Sequence, residues 1–105
     1  MPTKPPKTYL NLRKKHGKFM EAVEALGLAA KRSGPLDEKT AQFVQLAAAA
    51  AVRSEGSVHS HVRRARDAGA TPEEIRHALI LLVSTIGFPT VVAALSWAED
   101  VLRKR

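Results

Sequence analysis

Apolar residues along the chain recur at helical spacing, and no stretch alternates with the two-residue period of a strand. A short first helix is expected from Thr8, as its cap, to about His16, where Gly17 ends or interrupts it. From Lys18, the positions Phe19, Val23, Leu26 and Ala30 mark one face of a second helix, which stops at Ser33-Gly34-Pro35. Asp37 is placed to cap a third helix, with Leu36 just outside it and a body from Phe43 to Val52. That body contains Leu46 followed by five alanines, a small-residue face that lets another helix approach closely, and so predicts the central helix of a bundle. The stretch Arg53 to Ser57 should break it, and a fourth helix is predicted from Ser57 to Ala68, ended by Gly69. In Thr71-Pro72-Glu73-Glu74 a capping threonine, a proline at the first helical position and a glutamate three residues on predict a firm start to a fifth helix, read through to Ile86. Gly87 ends it, and Pro89 opens a last helix to about Arg103. The expected fold is all-α: a compact bundle of about five to six helices.

The fifth helix also predicts a partner. Ala78 to Val83 are apolar all round, and the last helix adds Val91, Val92, Leu95, Trp97, Val101 and Leu102, again wider than one stripe. An amphipathic helix in a small monomer needs a single stripe, and a chain of 105 residues has too little interior to surround such helices. The chain is therefore expected to bind further copies of itself.

Composition narrows the chemistry. There is no cysteine, so disulfides, thiolate metal sites and thiol redox cycles are excluded. The net charge of +7 is clustered: Lys4, Lys7, Arg13, Lys14, Lys15 and Lys18 precede the first acid, Arg63, Arg64 and Arg66 form a second group, and Arg103, Lys104 and Arg105 a third. Such a surface attracts anions, a small anionic metabolite among them. Nucleic acid is not expected as a partner, since the basic N-terminal segment holds one aromatic, Tyr9, and no recognition motif is present. No apolar run is long enough for a membrane span or a secretory signal, so the expected location is the cytoplasm. Residues 1–7, with three prolines, read as a flexible basic arm on one domain covering 1–105.

In order and spacing, Leu36-Asp37-Glu38-Lys39-Thr40 before the alanine-rich helix, His61-Val62-Arg63-Arg64-Ala65, Ala68-Gly69-Ala70-Thr71-Pro72-Glu73-Glu74-Ile75 and Gly87-Phe88-Pro89 resemble the carboxymuconolactone decarboxylase family, which includes the alkylhydroperoxidase-D-like proteins. The likeness runs from about residue 9 to residue 102. It implies an alkylhydroperoxidase-D-like helical subunit assembling through its apolar helices, often as a hexamer built as a trimer of dimers. It also implies two chemistries. Peroxidase members carry a C-x-x-C pair, a histidine four residues after it and a glutamate twelve residues before it. Here the histidine falls on His61, the cysteines on Ser54 and Ser57, and the glutamate on Gln42. A serine hydroxyl cannot replace a thiolate and Gln42 cannot relay a proton, so thiol peroxidase activity is not expected. Decarboxylase-like members need no cofactor. Their parent reaction loses carbon dioxide from a small carboxylated lactone and protonates the dienolate left behind.

On that resemblance, His61 is the candidate general acid/base, with a pKa expected near neutrality. Arg64, three residues later, and Ser57, four earlier, share a helix face with it and are candidate substrate-binding groups, as is Gln42. Two alternatives stand beside this reading. His61 could be a histidine at the core edge, on an oligomeric binding or scaffold protein that catalyses nothing. A metal site of His59, His61 and His77 is disfavoured, because a two-residue step is poor helical ligand spacing and no carboxylate completes it; no metal is expected, and His59 should project elsewhere and be exposed. Trp97 and Phe88 read as core or interface.

Overall fold

The computed structural model describes residues 5–103. Among them are seven helices and no strands: α1 (Lys7–Lys15), α2 (Gly17–Lys31), α3 (Glu38–Ala51), α4 (Glu55–Asp67), α5 (Pro72–Ile80), α6 (Val83–Ile86) and α7 (Phe88–Leu102). The all-α expectation holds. Of the basic arm, residues 1–4 lie outside the described residues, as do Lys104 and Arg105 of the third cationic group.

Local signals set most boundaries. The Asp37 carboxylate accepts the Thr40 N–H at 2.8 Å and starts α3. Thr71 and Glu74 form the reciprocal capping box, with bonds of 2.9 and 3.0 Å, and Pro72 occupies the first turn of α5. Gly69, at φ +99°, closes α4: its N–H reaches the Arg66 carbonyl and the next N–H, of Ala70, reaches Ala65. That is a Schellman turn, which a glycine enters without a Cβ penalty.

Other boundaries depart from expectation. α1 begins at Lys7 after Pro6, so Thr8 lies inside the helix and caps nothing. α4 begins at Glu55 because Ser54, not Ser57, is its cap. Phe88, not Pro89, opens α7, since proline is equally suited to the second position. The predicted fifth helix is two pieces. At Leu82 the N–H bonds the Leu79 carbonyl three residues back instead of four, and Thr85 does the same to Leu82, so a tight turn separates α5 from α6 without glycine or proline.

The core lies among α3, α4, α5 and α7. Leu46, Ala50, Val58, Val62, Ala65, Ile75, Leu79, Ala94 and Ala98 are fully buried in it. The alanine face of α3 meets α4, α5 and α7, in keeping with a central position. Trp97 packs against this core, whereas Phe88 is 68% exposed. α1 and α2 pack chiefly on each other, and Met20 is the one buried residue of these two helices. On α2, Phe19, Val23, Leu26 and Leu28 remain exposed, and so do Ile80, Leu81 and Val83 around the α5–α6 turn. No helix among the described residues is long and apolar enough to cross a membrane.

Candidate functional site

The site forms where α4 crosses α3. Val58, Val62 and Ala65 bury one stripe of α4 in the core, which turns His61 toward the neighbouring face of α3. There His61 Nδ1 lies 2.8 Å from Oε1 of Gln42, a fully buried side chain. The amide Nε2 of Gln42 donates to Glu38 Oε2 at 2.8 Å, one helical turn back along α3. Lys31, at the end of α2, donates to the same carboxylate oxygen at 2.6 Å. A continuous chain of bonds thus runs Lys31–Glu38–Gln42–His61.

This chain dictates a proton position. The Lys31 ammonium, followed by the Gln42 amide, holds Glu38 below the usual carboxylate range. An ionised carboxylate only accepts, so it must receive the amide N–H of Gln42, which leaves the amide oxygen facing His61. The imidazole then has to donate from Nδ1. Its Nε2 carries the lone pair and makes no hydrogen bond among the described residues.

Burial foremost, then the charges of Arg64 and Lys31, lowers the His61 pKa to about 4. The expectation of a value near neutrality is corrected: the imidazole stays neutral well below pH 7, because burial and the charges of Arg64 and Lys31 disfavour its protonated form.

Arg64 is exposed and has no ion-pair partner among the described residues. With Arg63, Ser60, Tyr9 and Arg13 it lines an open cleft between α1 and α4. Burial and then the Arg64 charge lower the pKa of Arg63, while Asp67, which lines the same cleft, raises it. Arg13 is committed elsewhere, to Glu24 and to the Tyr9 hydroxyl. Ser57 is only half-buried, and its hydroxyl accepts from Ser54 Oγ at 2.9 Å, while Ser54 Oγ also caps α4. The two serines satisfy each other, and Ser57 makes no bond to His61 among the described residues.

Of the four candidates, Gln42 and His61 touch, Arg64 acts on His61 through its charge, and Ser57 stands in a capping pair. Glu38 and Lys31 were not singled out by sequence. The four-residue spacing of Glu38 and Gln42 was legible as a helix pair, but not that it would orient a histidine on another helix. His59 is half-buried instead of exposed, held by Asp100; His77 lies exposed on α5.

Comparison with known proteins agrees with this architecture. The sequence profile of the carboxymuconolactone decarboxylase family matches residues 17–100. A crystal structure of a carboxymuconolactone decarboxylase family protein from Legionella pneumophila, in its apo form, is similar in fold, with a TM-score of 0.73 and 28% identity. The match covers 90% of this chain and 87% of that one. An uncharacterized protein of Haemophilus influenzae is 36% identical over 59 residues, 56% of this chain and 52% of its own length, so the alignment spans about half of that relative.

Proposed function

Because the chain belongs to the carboxymuconolactone decarboxylase family, we propose that it performs cofactor-free acid/base chemistry, a decarboxylation or an isomerisation, on a small carboxylated lactone or enol acid, with His61 as the acid/base. The observation that carries this reading is the His61 imidazole itself, neutral, oriented through Gln42 by Glu38, and left with an Nε2 that has no partner among the described residues, one turn from Arg64.

A neutral imidazole at pH 7 is ready as a base. In an isomerisation, Nε2 takes the proton from a carbon beside a carboxylate or carbonyl, the electron pair moves into the enolate, and the imidazolium returns the proton at the other end of the conjugated system. In a decarboxylation, the breaking bond to the carboxylate leaves its electron pair in a dienolate, and the proton on Nε2 quenches it. The proton is then loaded by substrate binding. A bound carboxylate offsets the Arg64 and Lys31 charges that hold the pKa down, so the anion raises the affinity of His61 for a proton. Arg64 is suited to hold that carboxylate because its guanidinium pairs with no acid among the described residues. Gln42 serves the imidazole on this reading and does not bind substrate, and Ser57 lends its N-terminal turn.

The test is the rate of turnover of a small carboxylated γ-lactone, followed by its ultraviolet spectrum, in the wild type and His61→Asn. General acid/base catalysis is worth about 10²–10⁴-fold, so a loss of that order with unchanged helical content is expected. An unchanged rate in a folded variant overturns the proposal, and an inert wild type that still binds the lactone leaves the non-catalytic binding protein as the better reading.

We also propose that the working form is a homo-oligomer, a hexamer or trimer of dimers. The exposed apolar residues of α2 and of the α5–α6 turn support this, since their own chain covers little of them.

A further inference from the structure

On α4, His59 and His61 are two residues apart and project roughly 200° from each other, so His59 belongs to a different surface from the acid/base site. There it meets two carboxylates. Asp100 Oδ2, from α7, lies 3.0 Å from His59 Nε2, and Glu55 Oε2, one turn back on α4, lies 3.9 Å from the same nitrogen. One ligand atom from each of the three residues lies within 4.8 Å of the others. We propose that Glu55, His59 and Asp100 form a binding site for a divalent transition-metal ion of the zinc type.

Three observations carry the proposal. The first is geometric. Zinc takes imidazole nitrogen and carboxylate oxygen at about 2.0–2.2 Å, so the ligands of a tetrahedral site stand roughly 3.3–3.5 Å apart. The two contacts at His59 Nε2 bracket that spacing, and adjustment of exposed carboxylate rotamers suffices to centre an ion. The second is electrostatic. Glu24, Glu38, Glu73, Glu74 and Glu99 each pair with a lysine or arginine. Among the described residues Glu55 and Asp100 pair with none, as Glu21, Asp37 and Asp67 also do, but these two alone share an imidazole neighbour. Two carboxylates therefore converge on Nε2, which donates its hydrogen to Asp100 at 3.0 Å; a metal ion would replace that proton, with the remaining one on Nδ1. The third is the scaffold. Val58, beside His59, and Ala98, two residues before Asp100, are fully buried in the α4–α7 contact, so the ligands project from two helices held in fixed register.

The donor set states the kind of ion. One imidazole with two carboxylates suits zinc, cobalt or manganese better than calcium or magnesium, which favour oxygen alone. Three protein ligands leave a fourth position to solvent. Bound there, the ion would clip α4 to α7.

The experiment uses untagged, metal-stripped full chain titrated with zinc alone by calorimetry, and with cobalt alone by visible absorption. The expected result is about one zinc per chain with a rise in melting temperature. Even lost supporting groups typically weaken metal sites by 10–100-fold, so His59→Gln and Asp100→Asn should each weaken binding at least roughly tenfold. Asp100 is exposed and His59 half-buried, and circular dichroism checks that the variants fold. His61→Gln and His77→Gln should bind as the wild type does. Absence of zinc binding, binding that survives both ligand substitutions, or binding lost with His61→Gln instead would each overturn the assignment.

Discussion

His61 stands in an environment that penalises its own charge. Its pKa falls from 6.5 to about 4, through burial first and then through Arg64 and Lys31. Between those two values the unfolded chain holds a proton on this imidazole that the folded chain refuses, so stability rises with pH across the window. This contribution is complete above about pH 6.5, is lost as pH falls toward about 4, and changes no further below. The carboxylates with lowered values, such as Asp37 and Glu38, depart from ordinary values of 3.8 and 4.5 and act lower on the pH scale. Melting temperatures between pH 7 and 5 should therefore fall in the wild type and flatten in His61→Gln. An equal slope in both proteins would refute the assigned environment. Glu38 makes a second expectation. If its charge orients Gln42, the imidazole should be protonated at Nδ1 alone at pH 7, as read from two-bond proton–nitrogen correlations. In Glu38→Gln the neutral amide can donate as well as accept, so a mixture of tautomers should appear; a mixture already present in the wild type would dismiss the orienting role.

Among the elements, what could be read from sequence is what depends on neighbours a few residues apart. Asp37, Thr71 with Glu74, and Gly69 each complete a turn within their own stretch of chain, and each boundary appears where those residues place it. The turn after Ile80 was not legible. Ala78 to Ile86 contains no breaker, and only the three-residue bonds of Leu82 and Thr85 divide it. The candidate site divides in the same way. His61 and Gln42 were reached through the family pattern, but they are 19 residues apart, and which polar group satisfies which is decided by how α3 and α4 cross. Periodicity alone could not supply that crossing. His59 illustrates the converse, since its partner Asp100 lies 41 residues away and no local rule connects them. Arg53 is a further case. It adopts φ +57° ahead of α4, a conformation that costs a side-chain-bearing residue about 1–2 kcal/mol, and it donates to Thr90 Oγ1 at 2.9 Å.

At the scale of the whole molecule, some large apolar residues remain exposed among the described residues. Leu26 is 71% exposed and Phe19 61%, both on α2, and Leu81 is 62% exposed beside α6. Burying such side chains is worth about 1.5–3 kcal/mol each, enough in aggregate to hold subunits together. Light scattering at micromolar concentration should give a mass well above the 11.4 kDa of one chain. The double change Phe19→Asp and Leu26→Asp should drive the mass toward the monomer while α3 to α7 stay folded. A wild type that already runs at 11.4 kDa would end the oligomer proposal.

The α1–α2 pair, joined mainly to itself and burying Met20 alone, sets the order of synthesis against the order of folding. The ribosome makes these helices before the core that α3 to α7 will form. An isolated helix of 15 residues is marginal in water, so α2 should leave the tunnel unsettled and stay so while the later helices collapse. Its apolar stripe is then on offer through the whole of translation, to a chaperone or to a sister chain growing nearby on the same message.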